Sequence, residues 1–191
     1  MSKYLSIITP WSTLKYLDIF WVDGGMVMRD KTCCFTGHRT IPLSEMNLVT
    51  QKTEEFIKSL ILNGVKYFGV GGALGYDTLA AEILFRLKST CFGHIKIILV
   101  YPFKGYTKRW TPEQYKQYLW LLPKYDKIVC ASQHPSREAY FKRNRHLVDN
   151  SGYCIAYCTK AVGGTAYTLK YAQSKGVAIF NTSDFDIRFA Q

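Results

Sequence analysis

Three glycine turns hold the residues of this chain best suited to chemistry. Thr36-Gly37-His38-Arg39 follows the apolar run Cys33-Cys34-Phe35. Gly71-Gly72-Ala73-Leu74-Gly75-Tyr76-Asp77 follows Val65-Lys66-Tyr67-Phe68-Gly69-Val70, and Gly163-Gly164-Thr165 comes shortly after Tyr153-Cys154-Ile155-Ala156-Tyr157-Cys158. Glycine lets backbone N–H groups approach a ligand closely and tolerates positive φ. A strand, a glycine turn and a helix start form a phosphate cradle, because unpaired N–H groups and the positive end of the helix dipole converge there. Any tight strand-to-helix loop can need a glycine, so one such turn is weak evidence. Three at equivalent places in an alternating pattern point to a nucleotide-type ligand.

Side chains around these turns extend the chemistry, and each has a plainer reading beside it. Arg39 can pair bidentately with a phosphate, and His38 can donate to a ligand or move a proton; the plain alternative is a solvated basic pair on a tight turn. Gly72 and Gly75 would bring backbone close to a ribose or phosphate. Asp77 either caps the next helix or accepts from ribose hydroxyls. Glu82, about one and a half helical turns further on, either reaches the pocket or is an ordinary helix carboxylate. Arg143, Asn144 and Arg145 share a basic stretch with Arg137 and Lys142. On a helix Arg143 and Arg145 diverge by roughly 200°, so one meets the ligand and the other solvent. Tyr76, Phe103, Tyr106 and Trp110 lie near the turns, where an aromatic ring either stacks on a base or packs in the protein.

Composition narrows the class without selecting a partner. Lys+Arg 25 against Asp+Glu 14 gives a formal charge of +11. That excess favours anionic partners: phosphates, nucleotides, nucleic acid or a membrane surface. With 191 residues, 48% hydrophobic and 20% charged, the chain suits one globular domain with a substantial core. The cysteines at 33, 34, 91, 130, 154 and 158 form no CxxC and have no histidine at zinc-finger spacing. No metal and no cofactor is expected, and a reduced, cytoplasmic protein is favoured over a disulfide framework.

Residues 1–30 lack clear periodicity. The apolar stretch 17–22 is too short to span a bilayer and contains Asp18, and no signal-peptide pattern is present. The segment is expected to be an extension, with the natural start near Met26 or Met28, and no membrane association is expected. The organisation expected is an extension over 1–30, a domain over 31–182 and a tail over 183–191.

The elements that must position the turns follow from pattern. Short apolar, β-rich runs predict strands over 32–36, 65–70, 95–101, 127–131, 153–158 and 177–180. Helices are expected from Ser44, as cap, to Asn63-Gly64, then over 77–88, from Thr111-Pro112 to about 122, over 137–149 and over 165–174. Strands alternating with helices predict an α/β, Rossmann-like, doubly wound and mostly parallel sheet with helices on both faces. Ligands bind such sheets at the carboxyl ends of the strands, where strand order reverses. All three turns fall at those ends.

The motifs together resemble a known family. Thr36-Gly37-His38-Arg39, Gly72-Ala73-Leu74-Gly75-Tyr76-Asp77 with Ala80-Ala81-Glu82, Tyr101-Pro102-Phe103, the stretch from Tyr140 to Ser151 and Gly163-Gly164-Thr165 are similar to the YpsA-like branch of the SLOG superfamily. The likeness covers roughly residues 31–182. It implies a Rossmann-like fold and a nucleotide or nucleotide-derived ligand, and for this branch no particular reaction. It adds Pro102 to the ligand-binding candidates and places Arg143 and Asn144, rather than Arg145, on the site side.

The superfamily includes the Lonely Guy phosphoribohydrolases, whose phosphate turn begins with proline and continues through Gly-Thr to a catalytic glutamate. Here Val162 stands in place of that proline, and Ala166-Tyr167-Thr168-Leu169-Lys170 contains no carboxylate. The cradle persists while the expected catalytic acid is missing, leaving Asp77 or Glu82 as substitutes. Three readings therefore stand: a nucleotide-binding sensor or adaptor, a hydrolase of N-glycosidic bonds, and single-stranded DNA binding of the kind found in DprA, another member. A homodimer is compatible with each, although no heptad or apolar stripe marks an interface.

Overall fold

Period-two alternation inside the apolar runs decides how the molecule is layered. The computed structural model describes residues 29–185, together with Trp21–Val22 (β1) paired antiparallel with Gly25–Met26 (β2). The expectation about the natural start of the chain, most of the 1–30 segment and the end of the tail lie outside the described residues.

Six strands form one sheet: Thr32–Gly37 (β3), Tyr67–Val70 (β4), Lys96–Tyr101 (β5), Lys127–Cys130 (β6), Tyr153–Tyr157 (β7) and Ala178–Asn181 (β8). Their order is β6-β5-β4-β3-β7-β8, and every neighbouring pair is parallel. Side chains alternate between faces along each strand. Cys33 and Phe35 of β3 join one core cluster with Leu43–Leu62 (α1) and Tyr76–Thr90 (α2). Cys34, between them, joins the opposite cluster with Arg137–Asp149 (α4) and Gly164–Ser174 (α5). Pro112–Leu121 (α3) covers Leu99 near the outer strands through Tyr118. Ile97, Ile98 and Leu99 have no exposed surface, and burying each such side chain stabilises the fold by about 1.5–3 kcal/mol. This is the expected doubly wound α/β architecture.

The chain steps outward from β3 through β4 and β5 to β6, then returns to lay β7 on the other side of β3. The reversal point is therefore the gap between the carboxyl ends of β3 and β7, where α/β sheets open a crevice. The turns after β3, β4 and β7 all surround it.

Helix starts agree with expectation where a side chain can reach back. Thr111 caps α3 in a capping box with Gln114, and Pro112 opens the helix. Ser136 caps α4 by accepting from the Ala139 N–H. The expected Ser44 cap is not used. Pro42 occupies the cap position of α1 in extended backbone (φ −57°, ψ 141°), so the helix opens at Leu43 and Ser44 lies inside its first turn. Proline favours extended backbone before it and a preset φ at its own position. The cysteines are free thiols, and all but Cys91 are buried.

Candidate functional site

The first two glycine turns are filled by protein, and the third is open. A Cβ at Gly37 would lie 2.4 Å from the Tyr76 Cβ, so this glycine lets the Tyr76 side chain pass. Tyr76 has no exposed surface, and its hydroxyl shares a 2.9 Å hydrogen bond with Thr53 Oγ1. It is a core residue, which corrects its candidacy for base stacking. A Cβ at Gly75 (φ +76°) would sit 2.3 Å from the Arg39 carbonyl oxygen. At Gly72 (φ +64°) it would meet Leu99 at 2.6 Å, and the Tyr106 hydroxyl donates to the Gly72 carbonyl at 3.0 Å. Gly72 and Gly75 thus serve turn geometry and close packing.

Gly71, which the sequence reading did not single out, is the most constrained of the group. A Cβ there would fall 1.6 Å from Arg143 Nη1 and 2.6 Å from Asp77 Oδ2. The missing side chain leaves room for a buried ion pair: Arg143 Nη1 donates to Asp77 Oδ2 at 3.2 Å, with the two side chains 9% and 7% exposed. Asp77 also accepts the Ala73 N–H at 3.1 Å. It therefore braces its own loop instead of capping α2, whose cap position is Gly75 with no side-chain bond. Burial pushes the Asp77 carboxyl above its ordinary range, while the Arg143 charge and the Ala73 N–H pull the other way. Arg143 Nε is buried with no acceptor among the described residues.

At the third turn, a Cβ on Gly163 (φ +106°) or Gly164 would have nothing within 4 Å. Helix α5 starts there with no side-chain cap, and the first N–H groups of a helix have no acceptor within it. Asn144 Nδ2 donates to Thr168 Oγ1 at 2.8 Å, and Thr168 Oγ1 in turn donates to the Gly164 carbonyl at 2.8 Å. Asn144 therefore ties α4 to the first turn of α5 and sets where that open end points.

His38 is committed to the fold. Its Nε2 accepts the Thr159 N–H at 2.9 Å, which places the ring proton on Nδ1 of a neutral imidazole. Burial, aided by the charge of Lys160, lowers its pKa below 6.5. A histidine lowered on folding supports stability above its unfolded pKa near 6.5, and that support is lost as pH falls below it. Thermal unfolding between pH 7.5 and 5 is expected to show falling stability on acidification. His38→Gln, which can still accept from Thr159, is expected to flatten that slope; an unchanged slope would show that His38 does not carry it.

At the carboxyl end of β3, walled by α4 and the first turn of α5, lies a cavity of about 410 Å³, within the range of small-molecule sites. It brings together Gly37, His38, Arg39, Asp77, Arg143, Asn144, Gly164 and Thr165. Arg137, Tyr140 and Phe141 also line it without having been expected to. The signal was present: 137, 140, 141 and 144 follow the i, i+3, i+4, i+7 spacing of one helix face. A second cavity of about 240 Å³ adjoins it, sharing Arg39, Ala73, Tyr140 and Arg143 and adding Tyr106, Arg109 and Trp110.

Five candidates do not line this cavity: Gly72 and Gly75, whose packing is described above, and Glu82, Pro102 and Gly163. Glu82 accepts from Gln117 Nε2 at 2.7 Å and lines a separate apolar groove beside Phe85 and Trp120, because its position on α2 faces α3. Pro102 is buried at the end of β5, and Gly163 precedes the cavity wall without lining it. Arg145 turns away from the cavity, pairing with Glu138 and donating to the Tyr167 hydroxyl. Among the described residues no group of three or more His, Cys, Asp or Glu is placed to hold a metal, and no helix is long and apolar enough to cross a membrane.

A parallel, doubly wound sheet with a basic cleft at its reversal point defines a Rossmann-like α/β protein. Residues 33–187 match the YspA SLOG family, and the chain belongs to that family. Relatives include a UPF0398 protein of Halalkalibacterium halodurans, 30% identical over 125 residues (64% of this chain, 66% of that protein). A UPF0398 protein of Shouchella clausii is 27% identical over 124 residues (63% and 66%). The uncharacterized SPbeta prophage-derived protein YoqJ of Bacillus subtilis is 32% identical over 130 residues (61% and 75%). The match thus spans 66% of the length of each of the two UPF0398 proteins. Among solved structures, DNA processing protein A of Helicobacter pylori, described for its single-stranded DNA binding mode, superposes with a TM-score of 0.57 at 18% identity, covering 80% of this chain and 65% of that one. DprA of Streptococcus pneumoniae gives 0.58 at 18% identity, covering 82% and 52%. At that identity the likeness establishes a shared fold.

Proposed function

We propose that this protein binds a nucleotide or nucleotide-derived small molecule in the cleft at the carboxyl end of β3, acting as a sensor or adaptor. The observation that carries this reading is Arg143: a guanidinium buried by more than nine-tenths, with Nε unpartnered, in the wall that also holds the open start of α5. A buried donor without a partner costs about 1–3 kcal/mol, and Arg143 lines the cleft, so its guanidinium charge favours an anion there. Arg39 and Arg137, both exposed, add positive charge at the rim.

The hydrolase reading draws less support. Asp77 is the one carboxylate among the described lining residues of this cavity, and it is held by Arg143 and Ala73. Activating a water would require it to leave both partners. Single-stranded DNA binding is favoured by the charge of +11 and by the binding mode described for the Helicobacter pylori neighbour.

Calorimetric titration with adenosine 5′-monophosphate and with a single-stranded oligonucleotide, each at two salt concentrations, separates the readings. Saturable mononucleotide binding, weakened about tenfold or more by Arg39→Ala, is expected; a charge-assisted hydrogen bond of 1.5–3 kcal/mol corresponds to that loss. Binding of the oligonucleotide alone, with log K falling steeply with log[salt], would favour the DNA reading. Free base released from the nucleotide would favour the hydrolase.

A further inference from the structure

We propose that the cleft takes a dinucleotide, with one nucleoside in each cavity and the linking phosphate on Arg143; this rests on the nucleotide reading above. The two cavities, of about 410 and 240 Å³, meet along Arg39, Ala73, Tyr140 and Arg143. A ligand filling only the larger would leave the smaller, with its own cation and rings, unused.

The shared wall is what a bridging phosphate requires. Arginine presents its donors in a planar fork that matches two phosphate oxygens. Asp77 occupies Nη1 of Arg143, and Nε has no acceptor. Arg143 lines both cavities, so an anion joining two nucleosides would sit against it. Gly71 gives the guanidinium its place, since a Cβ there would overlap Nη1.

Each side also has aromatic surface and a cation of its own. The larger cavity has Tyr140 and Phe141 with Arg137, and the smaller has Trp110 and Tyr106 with Arg109. Neighbouring rings hold the planes of these residues. Phe103 meets Tyr140 edge-on at 5.4 Å and 84°, and Tyr106 meets Trp110 at 5.5 Å and 82°. Aromatic faces stack on bases with little regard to base identity, so the arrangement selects for two ring-bearing units and does not dictate which bases they carry.

The test compares adenosine 5′-monophosphate, the dinucleotide 5′-pApA and an eight-nucleotide oligo(dA) by calorimetry at one salt concentration. The dinucleotide is expected to bind at least tenfold more tightly than the mononucleotide. Arg109→Ala, an exposed position, is expected to remove most of that advantage while changing mononucleotide affinity less than twofold. Trp110→Ala should do the same, and Arg109→Ala controls for any loss of packing at Trp110. Equal affinities for mononucleotide and dinucleotide would overturn the dinucleotide proposal and leave the nucleotide reading standing. An octamer binding far more tightly than the dinucleotide would also overturn it, in favour of an extended strand. No binding of any of the three would remove the nucleotide reading itself.

Discussion

Arg143→Met is expected to destabilise the protein by about 3–5 kcal/mol, the usual cost of leaving a buried charge without its partner. At about 2–4 °C per kcal/mol for a chain of this size, the melting temperature should fall on the order of 10 °C. The cost arises at Asp77, which is buried against Gly71 and Ala73 and would keep only the Ala73 N–H. Burial already pushes its pKa upward, and losing Arg143 removes the main opposing influence. A carboxyl whose folded pKa is raised favours folding most at pH below its unfolded value of 3.8, and that advantage is lost as pH rises through the folded pKa. The deficit of the variant should therefore be largest at neutral pH and shrink on acidification. The double variant Arg143→Met with Asp77→Leu should recover most of the loss, because replacing both members of a buried pair is often near neutral. Denaturant unfolding of the wild type and these variants at pH 7 and pH 5 checks each part. A loss under 1 kcal/mol at pH 7 would show that Asp77 is hydrated or already protonated.

Gly164→Asp is expected to separate binding from stability. Nothing lies within 4 Å of a Cβ at this position, and a carboxylate in the first turn of a helix is favourable by about 0.3–1 kcal/mol. The variant should unfold at or slightly above the wild-type temperature. Its carboxylate would occupy the end of α5 where the anion is proposed to sit. Two like charges about 4 Å apart near a protein surface repel by roughly 4 kcal/mol. Even half of that corresponds to a loss of about thirtyfold in nucleotide affinity. Gly164→Ala adds bulk without charge and should cost only a small part of it. Unchanged affinity in the aspartate variant, measured by calorimetry, would place the ligand elsewhere.

These two residues mark where sequence reading reaches and where it stops. Gly164 was legible because a glycine turn between an apolar run and a helix is a local pattern, and α5 begins one residue before the expected Thr165. The α4 limits, Arg137–Asp149, agree with those expected, since the pattern that marks a helix is local too. The divergence of Arg143 from Arg145 followed from helix geometry alone, and the structure buries Arg143 while leaving Arg145 on the Glu138 side. Gly71 could not be read in the same way. Its constraint comes from a guanidinium more than seventy positions further along the chain, and no spacing near Gly71 announces it. The bracing role of Asp77 was not legible either, for a related reason: its partners are a loop N–H and a side chain from α4. Tyr76 and Glu82 show the same limit, since which side of α2 faces the core, α3 or the cleft is decided by packing against α1 and α3.

In the proposed complex an anionic nucleotide sits against Arg143 and the first turn of α5. The most direct measurement is a titration of the isotope-labelled protein with adenosine 5′-monophosphate, followed by nitrogen–proton correlation NMR. The Arg143 Nε–H, buried and without a protein acceptor, should move together with the amides of Gly164 and Thr165, on one saturating curve. Shifts confined to other surfaces, or saturating shifts that leave Arg143 Nε–H and the α5 amides in place, would contradict it.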